Sequence, residues 1–124
     1  MNGADYRRAV TLEDLAVELR RFAAEREWER FHTPKNLAIS LAVEVGEVLE
    51  HVQWGSDEEI ADRIESADGR AAVAEELADV LIYLVRLADI LDIDLLAAAS
   101  AKVRANAARY PADEVRGSSA KRPR

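Results

Sequence analysis

The chain reads as an all-α protein, a four-helix bundle, on three observations. Its 124 residues are 49% hydrophobic and 33% charged, with five Gly, three Pro and few β-branched runs. That composition fits one soluble domain and favours helix. Apolar residues recur at three- and four-residue spacing over long stretches, the period of a helix with one buried face. Helix start signals (Thr11, Thr33-Pro34, Ser56 and Asp94) stand at the heads of these stretches.

The elements follow in order. Thr11 before Leu12-Glu13-Asp14 is an N-cap with acids in the first turn. It opens a helix expected to run to about Arg30, with Leu12, Leu15, Leu19 and Phe22 on its apolar face. Thr33 caps a second helix with Pro34 at its first position, extending from about Lys35 to Trp54 and stopping at Gly55. Ser56-Asp57-Glu58-Glu59 reads as a capping box able to nucleate a short helix in the connection. Ser66-Ala67-Asp68-Gly69 is expected to be a loop. A third long helix spans about Arg70 to Leu91, and Asp94 caps a fourth that ends near Tyr110-Pro111. Residues 1–10 read as an N-terminal extension, 11–111 as the domain, and 112–124 as a flexible tail ending in Lys121, Arg122 and Arg124.

Composition also excludes chemistry. With no cysteine, disulfides, zinc-thiolate sites and a thiol nucleophile are ruled out. A net charge of −7 argues against binding nucleic acid polymers or an anionic membrane. There is no basic leader followed by an apolar stretch and no bilayer-spanning run, so a cytoplasmic location is expected. No Ser-His-Asp arrangement, Gly-rich phosphate loop or His-rich metal motif is present.

The chemistry concentrates in two acidic pairs, Glu44/Glu47 and Glu76/Asp79. Residues three apart share a helix face. On a wheel of roughly 100° per residue, Ser40, Glu44, Glu47 and His51 fill a narrow wedge between apolar arcs. Glu76, Asp79 and Tyr83 border the core arc of the next long helix, while Glu75, Arg86 and Asp89 fall toward its outer side. Two such helices packed together would gather four carboxylates, and anions crowded in a low-dielectric setting need a cation. Hard oxygen donors suit Mg²⁺, with Mn²⁺ as the alternative. The competing reading is a structural bundle whose acids meet basic residues of a partner.

Other residues admit two readings each. Trp28, in the segment leading to His32, and Trp54 lie at helix ends, as core lids or as stacking surfaces for a nucleobase. Lys102, Asn106 and Arg109, followed by Tyr110, form one helix face, either a solubilising face or a phosphate cradle.

Taken together these residues resemble the MazG-like all-α nucleoside triphosphate pyrophosphohydrolases, and within them the dCTP pyrophosphatases. The similarity runs from about Thr11 to Pro111. It is carried by the segment Phe22 to His32, Asn36-Leu37, Glu44-Val45-Gly46-Glu47, Gln53-Trp54, the run Glu75 to Leu84, and Lys102, Asn106 and Arg109-Tyr110-Pro111. The resemblance implies Glu44, Glu47, Glu76 and Asp79 as Mg²⁺ ligands. It implies Trp28, His32, Trp54 and Tyr83 around the nucleotide and Lys102 and Asn106 near its phosphates, with Asn36, Arg109 and Tyr110 counted among the substrate-binding residues. The activity it implies is cleavage of a nucleoside triphosphate between the α and β phosphorus, with Glu47 or Glu75 orienting or deprotonating the attacking water. It also implies a homodimer or homotetramer, which fits the apolar surplus of the two central helices. Leu19 departs from dCTP pyrophosphatases that carry a pocket histidine there. The substrate that the resemblance as a whole implies is dCTP or a modified dCTP. The alternatives are a broader nucleotide pyrophosphohydrolase and a nucleotide-binding bundle without turnover.

Overall fold

The computed structural model describes residues 6–123, and every residue in regular structure there is helical, with no strand among the described residues. Helix α1 (Leu12–Glu25) leads through a 3-10 turn (Glu29–Phe31) into α2 (Pro34–Val52). The shorter α3 (Asp57–Glu65), the long α4 (Ala67–Ile90), α5 (Leu95–Arg109) and the four-residue α6 (Ala112–Val115) follow. The chain divides into two compact units at the Asp92/Ile93 junction. Residues 1–5 of the expected N-terminal extension and residue 124 of the tail lie outside the described residues.

In the first unit α4 is the central element, and α2, α1 and α3 all pack on it, α2 most extensively. Residues 6–10 precede α1, and the Tyr6 ring lies against Phe22 with centroids 6.2 Å apart. The caps expected from the sequence form. Thr11 and Asp14 make a reciprocal capping box, Thr33 accepts from the Asn36 amide, and Ser56 accepts from the Glu59 amide.

Two boundaries differ from the expectation. The first helix stops at Glu25 rather than near Arg30. Glu27 takes a left-handed φ of 55°, its amide bonds to the Ala24 carbonyl, and the Trp28 amide bonds back to the Ala23 carbonyl. This pair of bonds is a Schellman ending, which ordinarily uses Gly at the left-handed position. With Glu there the sequence carries no stop signal. The second difference is the expected loop at 66–69. Ser66 both ends α3 and caps α4, accepting from the Gly69 amide while its hydroxyl donates to the Arg63 carbonyl. The two helices meet so tightly that a Cβ on Gly69 would collide with the Arg63 carbonyl oxygen. Glycine at 69 is therefore a close-approach residue and not a loop marker.

The buried hydrophobic set is small: Ala16, Ala23, Leu37, Val85 and Ala88. Several large apolar side chains of α2 and α4 stay exposed, with Ile39 at 56% and Leu77 at 54%. In the second unit, Asp94 caps α5 by accepting from the Ala97 amide. After α6, the Arg122 amide donates to the Tyr110 hydroxyl at 3.1 Å and the Arg122 guanidinium meets Glu114 at 2.8 Å. No helix among the described residues is long and apolar enough to cross a membrane.

Candidate functional site: an acidic trio beside two aromatic cavities

The helical period aims Glu44 from α2 at Glu76 and Asp79 from α4. Each offers one carboxylate oxygen, and the three atoms lie within 4.8 Å of one another. Glu44 feels the crowding: burial first, then the charges of Asp79 and Glu76, push its carboxyl above the ordinary range. Carboxylate oxygens crowded together are the donor type that a hard divalent cation takes. His51 Nε2 stands 3.8 Å from Glu76 Oε1.

Glu47 stands beside this trio rather than within it. Its carboxyl is raised chiefly by the charge of Glu50, then by a hydrogen bond with Glu50, with Glu76 and Glu44 contributing further down. Glu75 is exposed on the outer side of α4.

Two adjoining cavities lie in the same unit, and one of them reaches the trio. One, of about 300 Å³, is lined by Trp28, Phe31, His32, Asn36, Leu37, Ser40 and Tyr83. The other, of about 320 Å³, is lined by Leu19, Phe22, Trp28, His32, Asp79, Ile82, Tyr83 and Arg86. Trp28, His32 and Tyr83 border both, and Asp79 joins the second cavity to the acidic trio. Local structure sets these positions. The Schellman ending turns Trp28 onto Phe22, edge to face with centroids 5.8 Å apart. The Asn36 side-chain amide donates to the Phe31 carbonyl at 3.0 Å, tying the 3-10 turn to the start of α2.

Behind the cavities runs a chain of polar groups that the sequence reading placed differently. Arg86 and Asp89 are not on a solvated outer face: Arg86 is 5% exposed and the Asp89 side chain 16%. Helix α1 covers that side of α4, and Arg20 reaches across to Asp89 with two bonds of 2.7 and 2.6 Å. Arg86 Nη1 lies 3.6 Å from Asp89, and Arg86 Nε donates to His32 Nδ1 at 3.0 Å. The Arg20 bond, followed by the charges of Arg20 and Arg86, holds the Asp89 carboxyl below its ordinary range against an opposing effect of burial. Burial, then the Arg86 charge, lowers the His32 pKa, so the imidazole is neutral near pH 7. A long-range ion pair between the first and third long helices leaves no periodic trace in the sequence.

Trp54 is 74% exposed and lines neither cavity; its carbonyl accepts from Arg63 at 3.2 Å. Lys102, Asn106, Arg109 and Tyr110 belong to the second unit. There the Arg109 guanidinium lies over the Tyr110 ring, 4.7 Å from its centroid, and donates to the Tyr110 hydroxyl at 3.3 Å. Arg109 Nε is buried and finds no partner among the described residues. Phe22, Phe31, Ser40 and Ile82 are cavity-lining residues that the sequence reading did not assign to the site.

Known proteins similar to this chain fall in one family. A model of the MazG-like family matches residues 39–122. The chain is 50% identical over 111 residues to dCTP pyrophosphatase 1 of Homo sapiens, an alignment covering 90% of this chain and 65% of that protein. It is 49% identical over 111 residues to the protein of the same name from Bos taurus, covering 90% and 66% respectively. The chain thus spans just under two thirds of the length of these relatives. Among solved structures, a pyrophosphatase from Archaeoglobus fulgidus superposes with a TM-score of 0.77 at 40% identity, covering 85% of this chain and 96% of that one. With its all-α fold, its acid-bearing central helices and these relatives, the chain belongs to the MazG-like family.

Proposed function

We propose that this protein hydrolyses a deoxynucleoside triphosphate, dCTP or a modified dCTP, to the monophosphate and pyrophosphate. The observation that carries the reading is the acidic trio of Glu44, Glu76 and Asp79 opening onto a cavity bordered by Trp28, His32 and Tyr83. The dCTP pyrophosphatase relatives at about half identity support the choice of substrate. The trio, with Glu47 at its border, would hold Mg²⁺ or Mn²⁺. When bound, such an ion offsets phosphate charge and acidifies a bound water.

The chain's own residues do the rest. Trp28 offers an aromatic surface for the base, and Tyr83 lines the same two cavities. Glu47 accepts a proton from the attacking water. Glu47 stands among Glu50, Glu76 and Glu44, whose charges raise its carboxyl, and this place at the border of the trio favours it over exposed Glu75 as the base. In the second unit, Lys102, Asn106 and Arg109 offer cationic and amide donors of the kind that suit phosphate oxygens, with Tyr110 bracing Arg109. The apolar wall of Leu19, Phe22 and Ile82 favours a base carrying an apolar substituent over the unmodified one.

The exposed apolar residues of α2 and α4 support assembly as a homodimer or homotetramer, and a neighbouring copy is the natural cover for Trp54. Light scattering on the purified protein decides this.

Two variants test the reading. Glu47→Gln should lose pyrophosphate release while keeping its helical circular dichroism and its nucleotide-dependent tryptophan quenching; full turnover in that variant refutes the assignment. Trp28→Ala should raise KM for dCTP between about fivefold and a hundredfold, the range of a lost base–aromatic stack. An unchanged KM would move the base elsewhere.

A further inference from the structure

Resting on the nucleotide reading above, we propose that Arg86 is a positioning residue that locks His32 as its Nε2–H tautomer, so that His32 presents a donor to the base. The argument begins with donor inventory. A guanidinium nitrogen donates only, so the 3.0 Å bond from Arg86 Nε to His32 Nδ1 requires a lone pair on Nδ1. The lowered His32 pKa, caused by burial and by Arg86, agrees with a neutral ring. A neutral imidazole carries one N–H, and with Nδ1 occupied as acceptor that hydrogen belongs to Nε2.

The lock is rigid because its far end is anchored. Arg86 is 5% exposed, Asp89 lies against it at 3.6 Å, and Arg20 grips Asp89 from α1 with bonds of 2.7 and 2.6 Å. The guanidinium therefore cannot turn away without leaving buried charge unpaired. His32 borders both cavities, and Nε2 is the ring nitrogen left for an occupant. The base edge that meets His32 must then be an acceptor, a ring nitrogen lone pair or a carbonyl oxygen such as cytosine offers. A base presenting N–H at that edge meets donor against donor and is disfavoured.

The test uses the full chain labelled with 15N-histidine. It contains two histidines, and the His32 signals are those missing from the His32→Asn variant. Without nucleotide, the parent protein is expected to show a protonated Nε2 and an unprotonated Nδ1. In Arg86→Met, which keeps length and removes the donor, the two tautomers should mix and KM for dCTP should rise about tenfold, with kcat changing less than about threefold. An Nδ1–H tautomer in the parent protein overturns the proposal, as does an unchanged tautomer and KM in a folded Arg86→Met. If that variant does not fold, the parent spectrum decides alone. The spectrum is recorded on the free protein. A chain that releases no pyrophosphate from any nucleotide but shows the Nε2–H form therefore sinks the nucleotide reading and leaves the tautomer lock in place.

Discussion

The Asp79→Asn variant should release pyrophosphate from dCTP about a thousandfold more slowly than the parent chain, the scale of losing a group that stabilises charge in the reaction. Asp79 belongs to the trio whose oxygens lie within 4.8 Å and also lines the cavity shared by Trp28, His32 and Tyr83. Asparagine keeps the shape and removes the charge, so folding should survive. Stability should even move the other way. Asp79 is a principal charge raising the Glu44 carboxyl, and removing it relieves repulsion in the metal-free protein. The expected pattern is a higher Tm than the parent in EDTA, and a smaller gain on adding Mg²⁺. The parent should gain about 2.7 kcal/mol when Mg²⁺ is present at a hundred times its Kd, which calorimetry or thermal melts can read. Equal Mg²⁺ stabilisation of both proteins would show that the ion binds elsewhere.

The Asp89→Asn variant should lose about 3 kcal/mol of stability, because it strips the counter-charge from an arginine that has almost no access to water. Arg86 is the expensive partner, with a side chain 6% exposed. Arg20 is half exposed at 49% and contributes less, since solvent screens its share. The pH dependence has a defined sign. Asp89 is held below its ordinary pKa of 3.8, first by the Arg20 bond. Its unfolded form binds protons more readily than its folded form, so its contribution is present in full above about pH 4 and drains away as pH falls through the folded value. The gap between parent and variant, measured by urea unfolding, should be full at pH 7 and shrink below pH 4. A gap independent of pH would assign the loss to packing rather than charge. His32 contributes in the same direction at higher pH, since its lowered pKa makes protonation below about 6.5 unfavourable to the fold.

Most of the helix framework was legible from local chemistry. Thr11, Thr33-Pro34, Ser56 and Asp94 each satisfy the orphan amides of a helix start within three residues of themselves, an interaction that needs no tertiary partner. The acidic pairs were legible for the same reason: a three-residue spacing on one helix fixes which way Glu44 and Glu76 face whatever packs against them. Two kinds of feature were not legible: local turns made by residues without a distinctive signature, and contacts between segments distant along the chain. The stop after Glu25 rests on a glutamate in a left-handed conformation, which has no compositional signature. The α3–α4 junction looked like a loop because Ser and Gly serve turns and close helix contacts alike. The burial of Arg86 and Asp89 was decided by α1 lying over them, and a helical wheel drawn for one helix has no knowledge of the next.

Sequence alone determined the helical class, the caps and the acid-bearing faces, because hydrogen bonds and periodicities of three to four residues are written locally. Tertiary structure decided which acids meet, that Trp28 and His32 border the same cavities as Tyr83, and that Arg20, Asp89, Arg86 and His32 form one connected line. Those outcomes depend on the packing of α1, α2 and α4, where desolvation turns ordinary surface charges into strongly coupled ones.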